Sequence, residues 1–514
     1  MDDDSGLWDL NIKEMSMQSI NKVLEGKELD EYFEGQIVFL KGEFMKFISQ
    51  FDATDLFHKW REFIRHVDEL YNITDLITED ETDMLESCSI EICKDARFGK
   101  VVEIIGHRYG KAVQCRFVKS CLMLSSLNYA YFKMGQYQNC CNNLREAIDR
   151  CQKMRLYYVT MLLFVPQYAK GSRKIDFLDL LNFFQPQIDM CLVNIRTAYN
   201  SLLINRSIND YKAMPNPLGF SFNFDYKHLE EDSLEPIRLS VAEVIDSMTE
   251  YERLKMPCFG VHELYGYDEM MEGIVVSSAA FDKYGLNELE VYKDMVGLAH
   301  DLKPYLNDNY VFIVPETAFV ELRGKYSCLQ LTCESDDFDD MLNARPAFFK
   351  FGNAYYSTVL IYQRYMVKME QRLLEKKKKF QVDSGFAFEK TSKAVLRGFG
   401  YTVMDCAKRI MRKEFDVVCV KDDCIYNFQC KNNFVSVSEQ GKDWFKETCN
   451  TIRRLNRYYE KALEKEVKRE HLLKDKLKKD TVKSYVLSRY PVITRNPRVI
   501  NYNQLVEWLC DNHF

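Results

Sequence analysis

Residues 415–431 read Phe-Asp-Val-Val-Cys-Val-Lys-Asp-Asp-Cys-Ile-Tyr-Asn-Phe-Gln-Cys-Lys. An acid, Asp416, opens one short apolar run, and Gln429-Cys430-Lys431 ends the next. Lys421-Asp422-Asp423 between them has the composition of a tight hairpin turn. Two strands joined this way bring a carboxylate, an amide oxygen and an ammonium to one edge of a small sheet. A divalent metal and a phosphodiester could meet there. Side chains alternate along a strand, so Gln429 and Lys431 share the face toward Asp416, while Phe428 and Cys430 face the other way and can pack inward. The plainer alternative is that Asp416 caps a strand and Lys431 is solvated. Elsewhere in the chain, spacing and residue type do not combine to suggest chemistry.

The surrounding elements must hold these groups in place. A helix is expected over Phe386–Arg397, ending at Gly398, after a turn at Asp383-Ser384-Gly385. Strands are expected at Tyr401–Met404, Phe415–Val420 and Cys424–Lys431. A long polar helical stretch over 438–479 follows, then a strand at Ser484–Val492 and a last helix at Tyr502–Leu509. Helices and strands in this order make an α/β pattern.

Over about 130 residues, 384–514, the sequence resembles the PD-(D/E)xK nuclease superfamily, in particular its Mrr-like restriction-endonuclease branch. The resemblance rests on Phe388-Glu389, followed by Leu396-Arg397-Gly398-Phe399-Gly400-Tyr401. It rests also on Glu414-Phe415-Asp416-Val417-Val418 and on Phe428-Gln429-Cys430-Lys431. Gln429 stands where many superfamily members carry Glu or Asp, although Gln is common in this branch. The resemblance implies a restriction-endonuclease-like domain with a small mixed central sheet flanked by helices. It implies Mg2+- or Mn2+-dependent hydrolysis of DNA, as in restriction or defence endonucleases. Asp416 would be the main charged metal ligand, Gln429 would add its amide oxygen, and Cys430 its main-chain carbonyl. Lys431 would orient the attacking water or stabilise charge on the phosphate. Glu389 would hold metal-bound water or a second metal. Two alternatives stay open: a non-catalytic nucleic-acid-binding or scaffold protein with a degenerate nuclease fold, and an RNA-cleaving nuclease.

Charge divides the chain. The whole carries −7, yet residues 361–514 hold 33 Lys+Arg against 20 Asp+Glu, so the first 360 residues are strongly acidic. A basic domain seeks polyanions, of which nucleic acid is the commonest. Within 438–479, Lys442, Lys446, Arg453, Arg454 and Arg457 are the side chains expected to contact phosphates, with Trp444, Phe445, Tyr458 and Tyr459 interleaved. The same stretch would serve equally as a packing or dimerisation helix.

The remainder suggests a multidomain chain of 514 residues with a mainly α-helical N-terminal region. Residues 1–204 form that region, and 205–352 a mixed α/β region of unassigned fold. A linking helix with a basic end spans 353–382, and the nuclease-like domain 383–514. Within the first region, 124–151 resembles a single tetratricopeptide unit, with Ala130, Gly135, Tyr137 and Ala147 at the characteristic places. The helical region could pair with a second copy or with a partner protein. Residues 205–225 read as a connecting loop, Glu235–Leu254 as a helix, and Tyr310–Val314 and Tyr326–Cys333 as strands. The acidic run Glu334–Asp340 reads as a solvated loop. The most apolar stretch, Leu156–Ala169, is too short to span a bilayer, so no membrane association is expected. The acidic start lacks the basic opening of a secretory signal. The 17 scattered cysteines fit free thiols in a cytoplasmic protein.

Overall fold

The computed structural model describes residues 22–74, 79–216, 219–224, a few positions between 244 and 252, 266–404, 409–410, 413–432, 443–489 and 493–511. They are predominantly helical, with small sheets. Among the described residues no helix is long and apolar enough to cross a membrane, and the cysteines are free thiols.

The first unit is a helical cluster of α1 (Gly26–Ile48), α2 (Ala53–Thr74), α3 (Glu79–Ser87), α4 (Ala96–Tyr109), α5 (Lys111–Lys133), α6 (Leu144–Tyr168) and α7 (Gln185–Ser207). α2 shows why it folds: Leu56, Phe57, Trp60, Phe63, Ile64, Val67 and Leu70 recur at helical spacing, and all are buried. α7 is buried nearly all round and forms the centre, with α1 along it. The Leu156–Ala169 stretch lies within and just after α6, much of it in the core. The tetratricopeptide-like segment does not make the expected hairpin. Tyr137 opens only a short 3-10 turn, the second helix starts at Leu144, and α6 packs chiefly on α2 rather than on α5. The 205–225 segment is also not a plain loop. Within it, β2 (Lys212–Asn216) and β3 (Gly219–Phe222) form a hairpin that pairs with β1 (Leu24–Glu25) near the start of the cluster.

The second unit is an antiparallel sheet of β4 (Leu306–Asn307), β5 (Val311–Pro315), β6 (Phe349–Phe351) and β7 (Ala354–Thr358) in the order β4-β5-β7-β6. Around it pack α8 (Tyr267–Phe281), α9 (Glu290–Asp301), α10 (Glu316–Lys325) and α12 (Val359–Leu374) over a core that includes Tyr292, Phe312, Val314, Phe348 and Tyr362. The expected linking helix therefore begins at Val359, not 353. Gly352, with φ +57°, turns the chain into β7, and the Thr358 hydroxyl caps the helix by accepting from the Ile361 amide at 3.1 Å. Tyr326–Cys333 is no strand; α10 runs to Lys325, and Leu329 and Leu331 are buried in irregular chain. The acidic run is not simply solvated. Asp337 caps α11 (Phe338–Asn343), and Asp339 pairs with Lys41 and Tyr199 of the first unit. The Tyr310 hydroxyl donates to buried Asp68 at 2.6 Å, and Asp68 also pairs with buried Arg155. The Glu235–Leu254 helix lies almost wholly outside the described residues.

The third unit contains α13 (Lys378–Gly398), β8 (Thr402–Val403), the small pair β9 (Arg409–Ile410) and β10 (Lys413–Glu414), β11 (Val417–Lys421), β12 (Cys424–Lys431), α14 (Trp444–Val467), α15 (Glu470–Leu477), β13 (Thr481–Ser488), β14 (Val499–Asn501) and α16 (Leu505–Asp511). The five-stranded sheet runs β14-β13-β12-β11-β8. β11 is antiparallel to both neighbours, whereas β12, β13 and β14 are mutually parallel. One face, with Val417, Cys419, Phe428 and Leu487, packs on Phe388 and Leu396 of α13 and on Leu505 and Leu509 of α16. The other packs through Val486 on Leu455, Tyr459 and Leu463 of α14, and through Val418 and Ile425 on Leu473 of α15. The turn expected at Asp383-Ser384-Gly385 is instead the middle of α13. Ser384 is fully buried there, its hydroxyl donating to the Gln381 carbonyl at 3.1 Å. β13 starts earlier than expected and ends at Ser488, and β14 is too short to stand out in the sequence.

Candidate metal and phosphodiester site

The hairpin fixes the site. Asp422 and Asp423 have φ of +48° and +64°, the paired left-handed conformation of a two-residue hairpin loop, which Asp tolerates better than most residues. The loop sets the register Val417↔Phe428. Asp416, one residue before the strand, thus comes opposite Gln429. Its Oδ2 accepts from the Cys430 amide at 2.8 Å and from the Gln429 side-chain amide. The Lys431 carbonyl accepts from the Arg489 amide on the β13 side at 3.0 Å. Main-chain groups alternate sides along a strand, so the Cys430 carbonyl turns the same way as its N–H, toward Asp416 beyond the end of β11.

The carboxylate is largely buried, and burial pushes its pKa up to about 6. Lys431 and the Cys430 N–H pull it down, and Glu466 and Glu414 push it up again. Lys431 extends along the α14 layer, with Nζ 5.6 Å from the centre of the Tyr458 ring. Cys430 points into the opposite layer. Its half-buried thiol is raised well above its usual range, first by desolvation and then by Asp416 and Glu389. Glu389, on α13, stands 3.8 Å from Lys393 and borders Cys430 from that layer. The expected set is therefore gathered unevenly. Asp416, Gln429, Lys431 and the Cys430 backbone share one corner, and Glu389 approaches from across the sheet.

Sequence reasoning missed two features. Glu466 on α14 is buried, accepts from Asn427 Nδ2 at 3.2 Å and from Arg469 at 3.0 Å, and adds negative potential at Asp416. Its signal was an acid continuing the apolar series Leu455, Tyr459, Leu463. Arg489 closes the strand end, with Nε donating to Asn432 at 3.2 Å and its guanidinium 4.2 Å above the Phe388 ring. Asn432 in turn donates to Ser384 at 3.1 Å.

Among the described residues no group of three or more His, Cys, Asp or Glu is placed to hold a metal ion. The donors at this corner are instead one carboxylate, one amide and one main-chain carbonyl. That all-oxygen set fits a hard cation such as Mg2+, which commonly takes one or two carboxylates and completes its shell with water and phosphate. The Gln429 amide presents its nitrogen to Asp416, so it must turn over to offer its oxygen.

Lys446, Arg453, Arg454 and Arg457 are all exposed on α14, and Lys442 lies outside the described residues. Arg453 Nε donates to the Arg206 carbonyl at 2.8 Å, and Arg454 to Thr451 at 3.4 Å. Trp444 and Phe445 pack on Tyr199 of α7, at 5.3 and 5.5 Å, so they anchor the helix rather than offer rings to bases. Tyr459 is buried, and Tyr458 remains exposed beside Lys431.

No protein-family model, curated protein or solved structure matches this chain.

Proposed function

We propose that residues 378–511 form a metal-dependent endonuclease unit of the PD-(D/E)xK type, Mrr-like in its Gln-x-Lys strand end, acting on DNA in a restriction or defence role. The observation that carries this reading is the corner where Asp416, with its raised pKa, meets Gln429, the Cys430 backbone and Lys431 past the end of β11. A desolvated carboxylate among further acids is a costly arrangement for folding alone, and such perturbed groups concentrate at functional sites. The sandwich of helices on both faces of a mixed sheet agrees with the architecture that the resemblance implies.

Asp416, Gln429 and the Cys430 carbonyl would hold Mg2+ or Mn2+, which supplies a polarised water and neutralises charge at the phosphate. Lys431 would stabilise charge that grows on the phosphate oxygens. Glu389, which borders Cys430 from the opposite layer, would take part through metal-bound water. Phosphates on either side of the scissile bond run along the exposed side of α14, past Lys446, Arg454, Arg457, Lys461 and Lys465. The helical first region would carry a regulatory or sensing role.

The test is cleavage of plasmid DNA and of RNA side by side, with Mg2+, with Mn2+ and with chelator. DNA should be nicked with metal and left intact with chelator, and Asp416→Ala and Lys431→Ala should each abolish the cut while remaining folded. RNA cleavage alone would reassign the substrate. Metal-independent DNA binding without cleavage by wild type would leave only a nucleic-acid-binding unit.

A further inference from the structure

A second concave site, sharing no residue with this corner, lies between α2, α5 and the β5–β7 sheet. It is a solvent-open cleft of about 420 Å³, within the range of small-molecule sites. Its apolar lining includes Leu162, Val311 and Ile361, each of which shows only a small edge to the cleft. Its charged groups are mainly cationic. Arg61, Arg65, Arg116 and Lys119 line the cleft against only two acids, Glu62 and Glu69.

The acids are already engaged. Glu69 lies 3.1 Å from Arg116 and 3.4 Å from Arg65, and Glu62 lies 3.2 Å from Lys119. Asp308, beside the cleft, pairs with Arg65 at 3.3 Å. Arg61 has no such carboxylate among the described residues. Its guanidinium sits 4.4 Å above the Tyr356 ring, half-buried, and burial lowers its proton affinity. The two histidines do not add charge: burial holds His66 down at about 4 and lowers His58 as well. The cleft therefore keeps a net positive lining, with one partly desolvated guanidinium that has no carboxylate partner among the described residues, beside the edges of Leu162, Val311 and Ile361. Desolvated cations of this kind are normally matched by an anion.

We infer that this cleft binds a nucleoside mono- or diphosphate, with phosphate held by Arg61, Arg116 and Lys119 and the base laid against Leu162, Val311 and Ile361. A bare anion would leave the apolar edges of the cleft uncovered, and an uncharged base would leave Arg61 without a counter-charge. The site joins the helical cluster to the middle sheet, so an occupant touches both units at once.

The test uses the full chain in chelator, titrated calorimetrically with the mono- and diphosphates of adenosine, guanosine, cytidine and uridine, with the matching nucleosides and with inorganic phosphate. At least one nucleotide should bind one-to-one, about tenfold or more tighter than its nucleoside and than phosphate. Arg61→Met should weaken it about tenfold. Lys119→Gln, a substitution at an exposed rim position that leaves folding intact, should weaken it several-fold. Asp416→Asn should leave it unchanged, which separates this site from the proposed nuclease corner. The inference is overturned if no nucleotide binds up to roughly 5 mM, if phosphate or nucleosides bind equally well, if both cleft variants bind like wild type, or if Asp416→Asn removes the binding.

Discussion

Asp416→Asn should stabilise the protein, and the gain should depend on pH. In the folded chain the carboxyl is raised from 3.8 to about 6. Between those values the folded state holds a proton that the unfolded chain has released. Stability is therefore highest below the lower value and falls as pH rises through the window. Two pKa units correspond to at most about 3 kcal/mol. Asparagine keeps an oxygen for the Cys430 and Gln429 donors and does not titrate. The thermal midpoint of Asp416→Asn, measured in chelator across roughly pH 3.5 to 8, should match wild type at the acid end. It should then rise above wild type and level off past about pH 7. Adding Mg2+ at pH 7 should raise the wild-type midpoint and leave the variant unmoved. A midpoint difference that does not change with pH, or a variant least stable at high pH, would refute the assignment of Asp416 as a desolvated, ion-seeking carboxylate.

Removing the ammonium in Lys431→Gln takes away the cation that lowers Asp416, so the acid limb of the pH–activity profile should shift upward, and turnover should fall by about 100-fold or more. Glu466→Gln should do the opposite to the acid limb, moving it down, and should cost about 1–3 kcal/mol of stability as Arg469 and Asn427 lose their charged partner, read by thermal unfolding. Arg457→Gln and Lys461→Gln on the exposed side of α14 should each weaken DNA binding similarly across sequences and reduce the slope of log affinity against log salt by about one, measured by fluorescence anisotropy.

The hairpin at the centre of the site was legible because three local signals agree: the Asp-Asp turn, the alternation along Cys424–Lys431, and an acid at the start of the preceding apolar run. The packing faces followed from that alternation, and Phe428 and Gln429 indeed face opposite layers. Signals failed where packing overrides local preference. Ser384-Gly385 has turn composition, yet Phe380, Ala387 and Phe388 on either side all bury, and the helix continues through it. The strand Ala354–Thr358 was hidden because it lies inside the helix expected over 353–382, and Gly352 alone marked the reversal. Lone pairings such as β14 carry too few residues for any period to show. Trp444 and Phe445 look like base-stacking rings when read beside Lys and Arg, and only the fold shows Tyr199 already against them.

One long rod ties two of the units together. α13 seats Phe380 and Ala387 in the middle unit's core and Phe388 and Leu396 in the last unit's core, and its Ser384 also holds Asn432 at the end of β12. Cutting the chain at 383 would saw through this rod and strip the strand end of a support, so a self-sufficient terminal fragment must begin before Lys378. By the same token, any tilt of the rod imposed upstream arrives directly at the residues beside Lys431.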